Sequence, residues 1–250
     1  MEGARRHDEP APAGAPPPEV VHRIHDRYLI EVVEQLGLCP FARRSRELGR
    51  VHRPLLYGET PSPEQAAARL HALVQAHPDA EIVLLTFLHA DPRPLWERAR
   101  ALDDFVKELR ARYDATEGPL FFMVGFHPRS GEPEPGETPP RLTPDSLVVQ
   151  LRRTPDPVIQ CVRAEVLDRV RRQAQQAAHA RALEEARLKY PQLVELLERS
   201  IQPDSSLSAD IARKNFEGVA MGEGRERLEA VLADIQRERD EAYAPWWQRD

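Results

Sequence analysis

The clearest apolar segments of the chain are two short continuous runs, each followed by a histidine. They cover residues 82–88 (IVLLTFL) and 120–126 (LFFMVGF). Runs of this length without polar alternation are typical of strands that are buried on both faces of a sheet. His89 and Asp91 follow the first run, and His127 follows the second. We therefore predict two central strands with polar side chains at their carboxyl ends.

Around these strands, apolar residues recur at the three- and four-residue spacing of amphipathic helices. This spacing predicts helices over residues 18–36, 63–77, 94–113 and onward from Pro157. Residues 51–57 form a weaker candidate strand, because Pro54 cannot donate to a strand ladder. The connections between strands are too long for hairpins, so parallel strands with helical crossovers are expected. The predicted fold class is α/β: a small three-layer parallel sheet (βαβαβ) with a helical C-terminal extension.

Composition divides the chain into three parts. Residues 1–18 are rich in proline and alanine and are predicted to be a disordered tail. Residues 19–172 carry the α/β pattern. Residues 173–250 are highly charged and helical, which is typical of an extension that packs on the domain or mediates self-association.

The overall charge and the cysteine content exclude several functional classes. A formal net charge of −6 argues against nucleic-acid partners, because contact with phosphates needs a basic surface. No run approaches the roughly 18 apolar residues of a membrane span, and the N-terminal residues contain no apolar signal core. Two cysteines far apart in sequence are too few for a disulfide framework. We expect a soluble, cytoplasmic protein.

Cys39 is the candidate nucleophile. Pro40 is suited to the first position of a helix, so Cys39 can be the N-cap of a short helix that ends at Gly49. The helix dipole, together with Arg43 and Arg44, would then favour the thiolate. Two alternatives stay open: the preceding helix continues through Cys39, or the thiol is simply buried in the core.

Three interpretations of the strand ends compete. Cys39 could act as a nucleophile with His127 as its base. His127 and His89 could instead bind a divalent metal together with Asp91 or Glu59. In the third interpretation the histidines are structural, and the protein is a binding or scaffold module. Because carboxyl ends of parallel strands share one sheet edge, Glu59, His89, Asp91 and His127 are expected near each other. Cys39 reaches the same edge only if the first helix is suitably oriented.

A possible anion site follows further along the chain. Asp156 and Pro157 have the pattern of a helix start, and helix N-termini bind anions. Arg153 lies beside them and could donate two parallel hydrogen bonds to a carboxylate or phosphate. A polar turn that merely caps the helix explains the same residues equally well.

Three short motifs in order carry a resemblance to a known family. They are LCPFA at residues 38–42, FHP at 126–128 and RxPxP at 153–157, followed by Arg163. With these motifs the chain resembles an uncharacterised bacterial family, catalogued as the domain of unknown function numbered fourteen-fifteen. The family pattern continues as N-R-S-P-Y-P-x-x-H-x-x-R-E, and the resemblance covers residues 36–171.

The resemblance implies a set of matching positions but no activity, because none is assigned to the family. The positions are Cys39, His127, Arg153, Pro155, Pro157 and Arg163. The chain departs from the family where the histidine and glutamate of the last motif are replaced by Gln160 and Ala164. The loop after His127 also lacks the family's aromatic residues, and His89 matches no family position, which argues against the metal interpretation.

From these residues we predict a small-molecule enzyme that acts on an anionic substrate. Cys39 and His127 are the predicted catalytic residues, and Arg153 and Arg163 are the predicted substrate-binding residues. The alternative is a non-catalytic interaction or scaffold protein that uses its C-terminal helices, including for self-association. The sequence identifies no cofactor, and no metal is assigned.

Overall fold

The fold was determined as a computed structural model that describes residues 4–6, 10–39, 41–59, 61–91, 95–132, 151–189, 215, 217–219 and 222–247. The strands are β1 Ala4–Arg6, β2 Val51–Arg53, β3 Leu55–Tyr57, β4 Ile82–Leu88, β5 Phe121–Phe126 and β6 Val158–Arg163. The α-helices are α1 Pro18–Arg27, α2 Ala42–Glu47, α3 Pro63–Ala76, α4 Ala99–Asp114, α5 Ala164–Lys189 and α6 Gly222–Trp247. A π-helix, Tyr28–Glu34, continues α1.

The sheet confirms the α/β fold class, but it is mixed rather than parallel. Its strand order is β1-β2-β4-β6-β5, with β3 also paired to β4. Strands β1, β2, β3 and β4 run parallel to one another, whereas β6 is antiparallel to both β4 and β5. The expectation of an all-parallel sheet is therefore wrong at β6.

The predicted helix after Pro157 is wrong, because residues 158–163 form β6 instead. The segment VIQCVR has apolar residues that fit one face of a helix and both faces of a strand. The backbone of β4 lies on one side and that of β5 on the other, and together they pair with every residue of β6. These long-range hydrogen bonds decide between the two conformations, and the helix begins only at Ala164.

Several local signals are confirmed. The Ser62 side chain accepts a hydrogen bond from the backbone N–H of Gln65 at 3.3 Å, so it caps α3 as the sequence predicts. Pro54 separates β2 from β3, as expected for a residue that cannot donate to the ladder.

Helices cover both faces of the sheet, which gives three layers. Successive strand residues alternate between two apolar clusters: Leu56 and Phe87 belong to the cluster under α3 and α4, and Leu55 and Leu88 to the cluster under α1. The first cluster also contains Leu70, Leu102 and Leu109. The second is closed by α6 through Leu228, Ile235 and Tyr243.

At both ends of the α/β region the structure differs from the division of the chain that composition predicts. Residues 4–6, in the tail that composition predicts to be disordered, pair in parallel with β2 as β1. Helix α5 continues without a break across the predicted boundary between residues 172 and 173. Among the described helices, none has the length and apolar composition needed to cross a lipid bilayer.

Candidate functional site

A cavity of about 420 Å³ lies between the sheet and the layer formed by α1 and the π-helix. Most of its wall is apolar. The sheet contributes Val51, Ile82, Leu84, Val124, Phe126 and Val158, and the helical layer contributes Tyr28, Leu29 and Val33. An apolar concave wall with a few polar groups is typical of small-molecule sites.

The polar groups on the cavity wall come from distant parts of the chain. They are His22, His25, Cys39, Arg53, Thr86, Arg152, Thr154, Gln160 and Asn215. Among the described residues that line the cavity there is no aspartate or glutamate. The formal charges on the wall are therefore those of two arginines.

The π-helix shapes the helical wall of the cavity. Its wider turns are held by hydrogen bonds over five residues, such as the one from the Gln35 N–H to the Ile30 carbonyl at 2.9 Å. The Tyr28 hydroxyl donates to the Leu151 carbonyl at 3.2 Å and ties this wall to the segment that precedes β6. Single π-helical turns are frequent at functional sites. The apolar spacing of residues 18–36 predicts the helix but not this widening.

Cys39 lines the cavity, but it is not the N-cap of α2, which begins at Ala42 with Phe41 as its cap. Burial raises the pKa of Cys39 to about 11, even though hydrogen bonds from the backbone N–H groups of Phe41 and Ala42 lower it. The predicted helix-terminus effect is therefore present but smaller than the cost of burying the thiolate. Cys39 is a neutral thiol at neutral pH.

His127 lies outside the cavity, and the structure does not bring it to Cys39. It is 1 % exposed, and Trp96, to whose backbone it bonds, packs against the apolar cluster under α3 and α4. The Nε2 atom donates to the Trp96 carbonyl at 2.7 Å, and Nδ1 accepts from the Arg129 N–H at 3.1 Å. Burial lowers the pKa of His127, which favours the neutral ring. One ring nitrogen thus binds the segment before α4, and the other binds the turn after β5.

Arg153 and Arg163 are also outside the cavity. The Nε of Arg153 donates to the Ser130 carbonyl at 2.9 Å, and its side chain lines a separate cleft beside α6. The Arg163 guanidinium lies 5.8 Å from the centre of the Phe121 ring, on the face of the sheet that α4 covers. Of the four predicted site residues, only Cys39 therefore lines the cavity.

Asp156 does not form an anion site at a helix start, because a strand follows it. It is 1 % exposed and acts as a buried acceptor for three side chains. His25 Nε2 donates to it at 3.0 Å, Arg239 at 2.8 and 3.0 Å, and the Tyr243 hydroxyl at 2.8 Å. These hydrogen bonds to Asp156 join α1 and α6 to the turn before β6.

The pair of His25 and Asp156 is the feature that sequence reasoning missed. His25 lines the same cavity as Cys39 and is held by a carboxylate 131 positions further along the chain. A local pattern in the sequence carries no signal for such a distant partner.

The predicted metal group is not assembled. Among the described residues, His127, His89 and a carboxylate from Asp91 or Glu59 do not form a group of neighbouring ligand atoms. His127 instead uses both ring nitrogens in backbone hydrogen bonds.

The fold defines the class of the protein: an α/β protein with a cavity between its mixed sheet and the layer of α1 and the π-helix. Comparison of the chain with protein-family models, curated proteins and solved structures gave no match. The resemblance to the family of unknown function therefore stays a prediction.

Proposed function

We propose that the protein binds a small organic anion with an apolar body inside the cavity. The observation that carries this proposal is the wall itself, which is apolar except for a few polar groups whose formal charges are those of arginines. Its volume of about 420 Å³ suits a molecule of modest size.

Arg53 is the deepest positive group on the wall, with 4 % of its surface exposed. Its Nη2 lies 2.6 Å from Asp26 Oδ1, and the other oxygen of that carboxylate lies 3.4 Å from Arg6 Nη2. Two guanidinium groups therefore contact one carboxylate, and one of them, Arg53, lines the cavity. A buried anion needs such a partner, because removing an unpaired charge from water is costly.

The test uses three amphiphiles with the same eight-carbon body: octanoate, octanol and octylammonium. We expect octanoate to bind with one-to-one stoichiometry in titration calorimetry, and octanol to bind about tenfold more weakly because it lacks a charge-assisted hydrogen bond. Val124→Trp should abolish binding, because it fills the cavity from the sheet side.

Phe122→Trp is the matched control, because Phe122 is 48 % exposed on the same strand. Its affinity for octanoate should equal that of the unmodified protein. Octylammonium binding as tight as octanoate binding, or full affinity in Val124→Trp, would contradict the proposal.

Hydrolysis of a bound ester is the second candidate, favoured by the contact between His25 and Asp156. Water adds to the ester carbonyl, His25 takes the proton of that water, and the alcohol leaves with this proton. The imidazole donates Nε2–H to Asp156, so a neutral His25 keeps Nδ1 as a proton acceptor.

The chromogenic ester p-nitrophenyl octanoate, whose hydrolysis releases octanoate, provides the test. His25→Gln should lower the hydrolysis rate by about a hundredfold. His127→Gln, outside the cavity, should leave it unchanged; equal rates in both variants would reject this candidate.

The alternative of an interaction protein concerns the C-terminal helices. Helix α6 directs Leu228, Ile235 and Tyr243 into the core, so these side chains are not available to a partner. On α5, Leu188 is 80 % exposed. Self-association through these helices, a cytoplasmic location and the absence of nucleic-acid partners stay predictions from composition.

A further inference from the structure

A second group of polar side chains lies on the other face of the sheet from the cavity. It consists of His52 in β2, His77 at the end of α3 and Asp79 in the turn that follows. Their ligand atoms all lie within 4.8 Å of one another, and the two imidazole rings are 4.7 Å apart between centres. We propose that these three residues form a binding site for a divalent metal ion such as Zn²⁺.

The ligand set suits this chemistry. Two imidazoles and one carboxylate are the three protein ligands of many zinc sites, in which water or another molecule takes the fourth position. Ligand atoms of a tetrahedral zinc ion lie roughly 3.3–3.6 Å apart, given bonds of about 2.0–2.2 Å. His52 is fully buried and fixed in the sheet, whereas Asp79 is exposed and His77 partly so. Rotation of these two accessible side chains is sufficient to bring the three ligand atoms closer.

The electrostatic surroundings favour a cation. His77 is the C-cap of α3, and its N–H donates to the Leu73 carbonyl at 2.9 Å. The carboxyl end of a helix carries a partial negative charge, which stabilises cations nearby. Asp79 adds a full negative charge two residues later.

A cationic side chain already lies against this group. Arg5 Nη1 is 3.4 Å from Nδ1 of His77, and Arg5 Nη2 is 3.9 Å from the Asp79 carboxylate. Arg5 is opposite His52 in the pairing of β1 with β2, so its position follows from the register of the sheet. A metal ion and this guanidinium cannot share the same ligands, so metal binding displaces the Arg5 side chain.

Titration of the full chain with Co²⁺ tests the site, because tetrahedral Co²⁺ absorbs visible light far more strongly than octahedral Co²⁺. We expect one Co²⁺ with the tetrahedral spectrum, displaced by one equivalent of Zn²⁺. His77→Ala and Asp79→Asn should each weaken binding by at least about tenfold. Both positions are accessible at the surface, so these variants should fold, whereas His52 is too deeply buried for this purpose.

His71→Ala, on the same helix, is the matched control and should bind Co²⁺ as the unmodified protein does. Arg5→Ala should tighten binding by about tenfold, because it removes a competing positive charge. Equal Co²⁺ affinity in His77→Ala, Asp79→Asn and the unmodified protein would overturn the site. Unchanged affinity in Arg5→Ala would overturn the displacement of Arg5.

Discussion

Replacement of Asp156 by alanine is expected to lower the free energy of unfolding by about 3–5 kcal/mol, the range found when one partner of a buried ion pair is removed. Arg239 is 7 % exposed and would keep its charge without its main acceptor. His25 and the Tyr243 hydroxyl would lose the same carboxylate. Because these donors belong to α1 and α6, the change loosens both helices from the sheet.

Urea denaturation measures this effect. Asp168→Ala is the matched control, because Asp168 forms an exposed ion pair with Arg171 at 3.2 Å. Its free energy of unfolding should stay within about 0.5 kcal/mol of the original value. If Asp156→Ala lowers the free energy of unfolding by less than about 1 kcal/mol, the hydrogen bonds to Asp156 do not hold the helices on the sheet.

The Asp156 carboxylate also makes the stability of the folded protein depend on pH. Burial alone would raise the pKa of Asp156, but the Arg239 charge and the hydrogen bond from His25 outweigh it and hold the pKa well below its usual range. Because its pKa is lower in the folded state, the ionised carboxylate of Asp156 stabilises the fold. This stabilisation is complete above the unfolded-state pKa of about 3.9 and is lost as the pH falls toward the folded-state pKa. The stability difference between the unmodified protein and Asp156→Ala should therefore shrink as the pH falls below about 4.

Alkylation of Cys39 by iodoacetamide is expected to be about a hundredfold slower at neutral pH in the folded protein than in the urea-unfolded chain. The reason is the pKa of about 11, against an ordinary value of 9.0, which reduces the thiolate fraction. The rate should rise about tenfold for each pH unit until the thiol titrates. A Cys161→Ala background leaves Cys39 as the single thiol of the chain.

His127→Gln should not change this alkylation profile, because His127 lies outside the cavity and bonds the Trp96 carbonyl on the other face of the sheet. A Cys39 midpoint below the ordinary value of 9.0 would instead indicate a stabilised thiolate. A midpoint that moves in His127→Gln would contradict the placement of that residue. Either result would restore the predicted catalytic pair.

Short-range patterns in the sequence determined much of the fold. The apolar runs predicted β4 and β5, and Ser62 with Pro63 predicted the start of α3. These features depend on neighbours within a few residues, where turn chemistry and the spacing of apolar side chains act directly. The three layers followed as well, because strands without polar alternation must be covered on both faces.

Only the tertiary structure decided which polar residues meet. Residues 158–163 have a pattern that suits a helix or a strand, and pairing with β4 and β5 selects the strand. Since side chains of a strand alternate between faces, Gln160 lines the cavity while Arg163 packs on the other face. The sequence itself determined that Cys39 and His127 follow apolar elements. Their separation, and the contact of His25 with Asp156, result from long-range packing that no local pattern encodes.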